Sequence, residues 1–206
     1  MTFTHPHQHF FQKSTNPEEK RVLLLFHGTG GNEMDLIPLA ERILPGVSYL
    51  GIRGNVIEHG MPRFFKRLSE GIFDEADIKL RAHELDSFIR EAATSFGFSS
   101  ENVMALGYSN GANIITALNF LHPGLISTSL LLRPMTPLVP ANAPDLSNSN
   151  VWLSFGSVDP LMPPGEIEKL SGLYTEYGAN LTVNIEQAGH QLVQNDLTKA
   201  SEFLMM

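Results

Sequence analysis

Asn102-Val103-Met104-Ala105-Leu106-Gly107-Tyr108-Ser109-Asn110-Gly111-Ala112-Asn113 is the stretch that decides how the chain is read. An uncharged apolar run ends in Gly-Tyr-Ser-Asn-Gly. Ile114, Ile115, Leu118 and Leu121 then recur at helical spacing until Pro123 stops the pattern. The spacing predicts a strand, a tight turn with Ser109 at its apex, and a helix. A residue at such an apex is held in a strained conformation that pushes its hydroxyl clear of the chain. The turn crowds the positions two before and two after, where Gly107 and Gly111 stand. Amides at the start of the helix favour negative charge developing beside Ser109.

Strands and helices alternate on both sides of this unit. Residues 20–26 and 47–52 are apolar runs of strand length, as expected of strands buried on both faces. Residues 7–13 read as a short first strand, a candidate antiparallel edge. Leu36, Ile37, Leu39, Ala40 and Ile43 predict a helix capped near Asp35, with Pro38 in its first turn. Asp74-Glu75-Ala76-Asp77 opens a longer helix striped by Ile78, Ala82, Leu85, Phe88, Ile89, Ala92 and Phe96, and Gly97 ends it. Further on come strands at 126–132, 151–155 and 181–186, with helices at 166–177 and 191–204. Two long irregular stretches, 53–73 and 133–150, read as loops walling a site. The pattern predicts a mostly parallel sheet with helices on both faces, in one domain over 1–206.

Composition bounds the function. The 206 residues are 42% hydrophobic and 17% charged, with a net charge of −8 that argues against nucleic acid or an anionic membrane as partner. The absence of cysteine excludes disulfides and thiolate chemistry. Neither a secretion signal nor an apolar run of about 18–20 residues is found, so a soluble cytoplasmic enzyme is expected.

Serine needs a base to take its proton, and that base needs an acid to fix its tautomer and orientation. In a parallel sheet, functional groups gather on loops after the carboxyl ends of strands. Two such loops follow Ser109: Gly156-Ser157-Val158-Asp159-Pro160 and Gln187-Ala188-Gly189-His190. The chain order Ser109, Asp159, His190 is the one expected of a nucleophile-elbow hydrolase. Rival residues fit less well. His83 lies within a helix, His122 ends one, and His59 sits in the long loop. Asp145 falls in coil, Asp196 in a helix, and His27 suits packing or hydrogen bonding. His5, His7 and His9 alternate as metal ligands can, but a frayed terminus is the better reading, so no metal site is expected.

An oxyanion hole takes one donor from the residue after the nucleophile, the Asn110 amide. The loop His27-Gly28-Thr29-Gly30-Gly31 supplies the second, assigned to the Thr29 amide with Gly30 as fallback. That loop carries neither G-x-G-x-x-G nor a Walker lysine, which disfavours a nucleotide site.

Residues 23–32, the Gly107–Gly111 elbow, Gly156–Pro160 and Gly189-His190 together resemble the α/β-hydrolase superfamily, in its small carboxylesterase/phospholipase branch. That branch includes acyl-protein thioesterases and bacterial carboxylesterases. His27-Gly28-Thr29-Gly30-Gly31-Asn32-Glu33, with Arg63-Phe64-Phe65 and Glu70-Gly71-Ile72-Phe73-Asp74, is similar to hydrolases of the methylhydroquinone-resistance type. The resemblance implies an α/β-hydrolase fold without a lid domain, no cofactor, and a homodimer as one assembly open to the branch. Phe64, Phe65, Met135, Leu161 and Met162 are the expected apolar wall of the site, with core packing the competing assignment for each. Arg63, Lys66, Arg67 and Arg133 are the cations that could meet an anionic group, with a solvated face the favoured assignment. The resulting expectation is a serine hydrolase of small soluble esters. A thioesterase or depalmitoylase with the same triad is the enzymatic alternative, and a non-catalytic binding module the alternative of another class.

Overall fold

The structure is a computed structural model that describes residues 7–69 and 71–205. From the N-terminus, β1 (His9–Gln12) and β2 (Val22–Phe26) are followed by α1 (Ile37–Ile43) and β3 (Ser48–Ile52). Two small hairpins come next, β4 (Val56–Glu58) with β5 (Met61–Arg63), and β6 (Arg67–Ser69) with β7 (Ile72–Phe73). Then come α2 (Glu75–Phe96), β8 (Val103–Tyr108), α3 (Asn110–Leu121) and β9 (Thr128–Leu132). The chain closes with β10 (Asn150–Gly156), α4 (Glu166–Glu176), β11 (Asn180–Glu186) and α5 (Gln194–Phe203).

Among the described residues, seven strands form the central sheet in the order β1-β3-β2-β8-β9-β10-β11. Every neighbouring pair is parallel except β1–β3, where Phe10 faces Gly51 in antiparallel register. Helices cover both faces, and side-chain alternation along each strand decides which residue meets which layer. Val22, Leu24 and Phe26 pack under α2 and α3, while Leu23 and Leu25 pack under α1 and α5. This two-sided burial is why the strands read as continuous apolar runs.

Local expectations meet their physical reasons here. Asp74 caps α2 by accepting from the Asp77 amide at 3.1 Å, and Gly97 closes the helix at φ 73°. Asp35 is no helix cap. Its carboxylate accepts from the Asn32 amide at 3.1 Å in the preceding turn, and α1 starts at Ile37 behind Leu36. The stretch 53–73 is not irregular: its strands are two or three residues long, too short to show a period, and Gly60 and Gly71 turn them at φ 79° and 73°. Helix α5 begins three residues later than its apolar pattern suggested, because the Asp196 carboxylate accepts from the Val193 amide at 2.8 Å and fixes the first turn there.

Candidate active site

Ser109 stands between β8, the middle strand of the sheet, and α3, with φ 52° and ψ −115°. That conformation is costly for any residue with a side chain and persists only where the surroundings enforce it. The enforcement is visible on both sides. The Ser109 amide donates to the Leu132 carbonyl at 2.9 Å, and the Ser109 carbonyl accepts from the Asn113 amide at 3.0 Å. A Cβ on Gly107 would lie 2.6 Å from the Ile115 side chain, and one on Gly111 would overlap the Phe26 carbonyl. Both glycines are therefore required by close approach of neighbouring chain.

His190 follows β11 and Asp159 follows β10, at the carboxyl edge that also carries Ser109. His190 Nε2 lies 2.9 Å from Ser109 Oγ, and its Nδ1 lies 2.7 Å from Asp159 Oδ2. Asp159 is almost fully enclosed, whereas His190 is about one-quarter exposed (26%). The second carboxylate oxygen of Asp159 accepts from the Leu161 amide at 2.9 Å, which fixes the plane of the acid. The His190 loop is itself tied down: the Tyr108 hydroxyl donates to the His190 carbonyl at 3.0 Å.

Arg133 completes this support. The sequence reads it as a cation on a solvated face, or one that could meet an anionic group, yet its guanidinium is fully buried against Asp196, with Nη2 to Oδ2 at 2.8 Å and Nη1 to Oδ1 at 3.0 Å. The same group donates to the Gly189 and Gln191 carbonyls, each at 3.1 Å, on either side of His190. Its backbone, like that of Ser109, sits at positive φ (53°). Asp196, set aside as a helix residue, is thus the counter-ion that holds the histidine loop through Arg133.

The loop after β2 carries the donors expected opposite Asn110. Its fallback, the Gly30 amide, is already committed to the Pro62 carbonyl at 2.9 Å, so it drops out. Among the described residues the Thr29 amide has no acceptor. The Thr29 hydroxyl accepts from Arg63 Nη1 at 2.6 Å, which ties the loop to the first hairpin. His27 braces the loop from below: Nδ1 donates to the Gly28 carbonyl at 2.6 Å and Nε2 accepts from the Gly54 amide at 3.0 Å. Burial pulls the His27 pKa below its ordinary range, which keeps the ring neutral for this arrangement. At the start of α3 the first helical bond comes from Asn113, so the Asn110 amide precedes the helical ladder.

A cavity of about 420 Å³ opens over Ser109 and His190. Thr29, Asn110, Arg63, Met135, Leu161 and Met162 all line it. Phe64 and Phe65 do not. Both are core residues, 1% and 0% exposed, because the chain dives inward after the first hairpin. The Phe64 ring lies against Phe26 and His27 and its amide donates to Asn110 Oδ1 at 2.8 Å, while Phe65 meets Phe73 edge-on. Phe73 is the aromatic residue that lines the cavity instead. Lys66 points away, largely exposed, with its ammonium 4.0 Å from Asp77.

The model of the phospholipase/carboxylesterase family matches residues 7–206. The chain belongs to this family. MhqD of Bacillus subtilis (strain 168), which carries the name of a hydrolase, is 44% identical over 196 residues, 95% of this chain and 96% of that one. The crystal structure of the Bacillus cereus carboxylesterase is also 44% identical, with a TM-score of 0.92 over 96% of this chain and 92% of that chain. A carboxylesterase from Mesorhizobium loti, 30% identical, reaches the same TM-score over 98% of this chain and 95% of that chain. The protein is therefore a hydrolase of carboxylesterase type with the α/β-hydrolase fold. Among the described residues no helix is long and apolar enough to cross a membrane, and no group of three or more His, Asp or Glu side chains is placed to hold a metal. His5 lies outside the described residues, and the rings of His7 and His9 lie 5.5 and 5.4 Å from that of Phe88.

Proposed function

We propose that this carboxylesterase-family enzyme hydrolyses small soluble carboxylic esters through a Ser109–His190–Asp159 triad and an acyl-enzyme intermediate. The observation that carries the reading is the continuous chain of contacts from Ser109 Oγ through both ring nitrogens of His190 to Asp159, opening into the cavity. His190 takes the serine proton as Oγ attacks the ester carbonyl, and Asp159 holds the Nδ1–H tautomer and favours the imidazolium that forms. The Thr29 and Asn110 amides receive the oxyanion. Imidazolium then protonates the departing alkoxide, and water, deprotonated by His190, releases the acid and restores Ser109.

The cavity volume supports a short acyl group, with Met135, Leu161 and Met162 as its apolar wall. The test is a panel of p-nitrophenyl esters from acetate to dodecanoate beside matched acyl thioesters. kcat/KM is expected to peak at four carbons or fewer and to favour the oxygen ester at every length. A maximum with long-chain thioesters would replace this reading with that of a depalmitoylase. A folded protein that binds but never turns over any of them would leave a binding module.

A further inference from the structure

The cavity wall has a charge that the family chemistry does not use. Three arginines line it, Arg63, Arg67 and Arg133, and among the described residues no Asp or Glu does, in a chain whose net charge is −8. Arg133 is neutralised by Asp196. Arg63 and Arg67 share a single carboxylate: Glu58 Oε2 lies 3.1 Å from Arg63 Nε and 3.0 Å from Arg67 Nε. Among the described residues, two guanidinium groups against one carboxylate leave one positive charge facing the site. Arg63 spends its Nη1 donor on Thr29 and its Nε on the Phe65 carbonyl at 3.3 Å. Arg67 bonds Glu58 through Nε at 3.1 Å, and among the described residues its two terminal nitrogens have no partner.

Electrostatics points the same way. Burial pulls the Arg63 pKa down and the neighbouring Arg67 charge adds to this, while Glu58 opposes both. A second carboxylate beside the pair would relieve that repulsion and take the fork that Arg67 leaves open, the bidentate geometry in which arginine binds carboxylates best. The same lining holds Asn110, whose side chain is buried with Nδ2 unpartnered among the described residues.

We propose that the enzyme is selective for esters that carry a carboxylate elsewhere in the molecule, and that Arg67, backed by Arg63, recognises it. The inference rests on the esterase reading above. Apolar esters enter the same cavity without using this contact.

The experiment compares monoethyl glutarate and the butyryl ester of glycolic acid, each bearing a carboxylate, with neutral ethyl pentanoate by pH-stat in wild type, Arg67→Gln and Arg67→Lys. Wild type is expected to prefer one or both anionic esters in kcat/KM by about tenfold, and Arg67→Gln to lower that ratio about tenfold, with Arg67→Lys between them. Equal constants for anionic and neutral esters in wild type overturn the proposal, as does a ratio that survives Arg67→Gln. Failure to cleave any ester counts against the esterase reading instead. Calorimetric titration of wild type and Arg67→Gln with glutarate then decides the anion site alone: binding lost in the variant sustains it, and no binding to wild type overturns it.

Discussion

His27 sets the glycine loop by being neutral, since its Nε2 must accept from the Gly54 amide while Nδ1 donates to Gly28. Its pKa in the fold lies below the ordinary 6.5, chiefly through burial. The unfolded chain therefore binds the proton more readily. The stability His27 contributes is present above about pH 6.5 and is lost as pH falls toward the lower folded value. Thermal unfolding of wild type and His27→Gln from about pH 8 to about pH 5 checks this. The advantage of wild type is expected to shrink on acidification, and a gap that stays constant with pH would contradict it. The bracing role of His27 was legible in the sequence, and the candidates Ser109, Asp159 and His190 were legible as residues of the turn or loop that follows a strand. Arg133 was not legible, because its partner Asp196 lies 63 residues away and nothing local distinguishes a cation that faces substrate from one that is buried. Phe64 and Phe65 failed for a related reason: composition marks an aromatic as buried, and only topology says against what.

Elements hold the site by a few long-range ties. Arg133, at the end of β9, joins β10 through Ser154 Oγ at 3.1 Å, α5 through Asp196, and the His190 loop through two carbonyls. Asp196→Asn leaves that guanidinium buried without its counter-ion, at an expected cost of about 3–5 kcal/mol in denaturant unfolding. Activity is expected to fall with it even where the variant is fully folded, because the carbonyls on both sides of His190 lose a charged anchor. Unchanged stability together with unchanged kcat would remove Arg133 as the support of that loop. The hairpins β4–β5 and β6–β7 show the limit of pattern reading at this scale. Strands of two or three residues carry no usable periodicity, and what stabilises them, such as the Glu58 contacts to Arg63 and Arg67, joins residues across a turn.

At the scale of the whole molecule the alternation of buried runs and striped helices was enough to place a parallel sheet between two helical layers. It also placed the three candidate groups at one edge. Strand order was beyond it: that β8 lies at the centre, with β10 and β11 to one side, follows from packing of the two faces and not from any single segment. This order brings together residues as far apart in sequence as Ser109 and His190. Whether that juxtaposition performs acyl transfer is read most directly by stopped-flow hydrolysis of p-nitrophenyl acetate, comparing wild type with Ser109→Ala. Wild type is expected to release a burst of p-nitrophenol equal to the enzyme concentration before steady turnover, the mark of an acyl-enzyme whose hydrolysis is slower than its formation. Ser109→Ala is expected to show no burst and a steady rate lower by at least about 10³-fold. Equal rates in the two proteins would contradict Ser109 as the nucleophile, and with it the proposed mechanism.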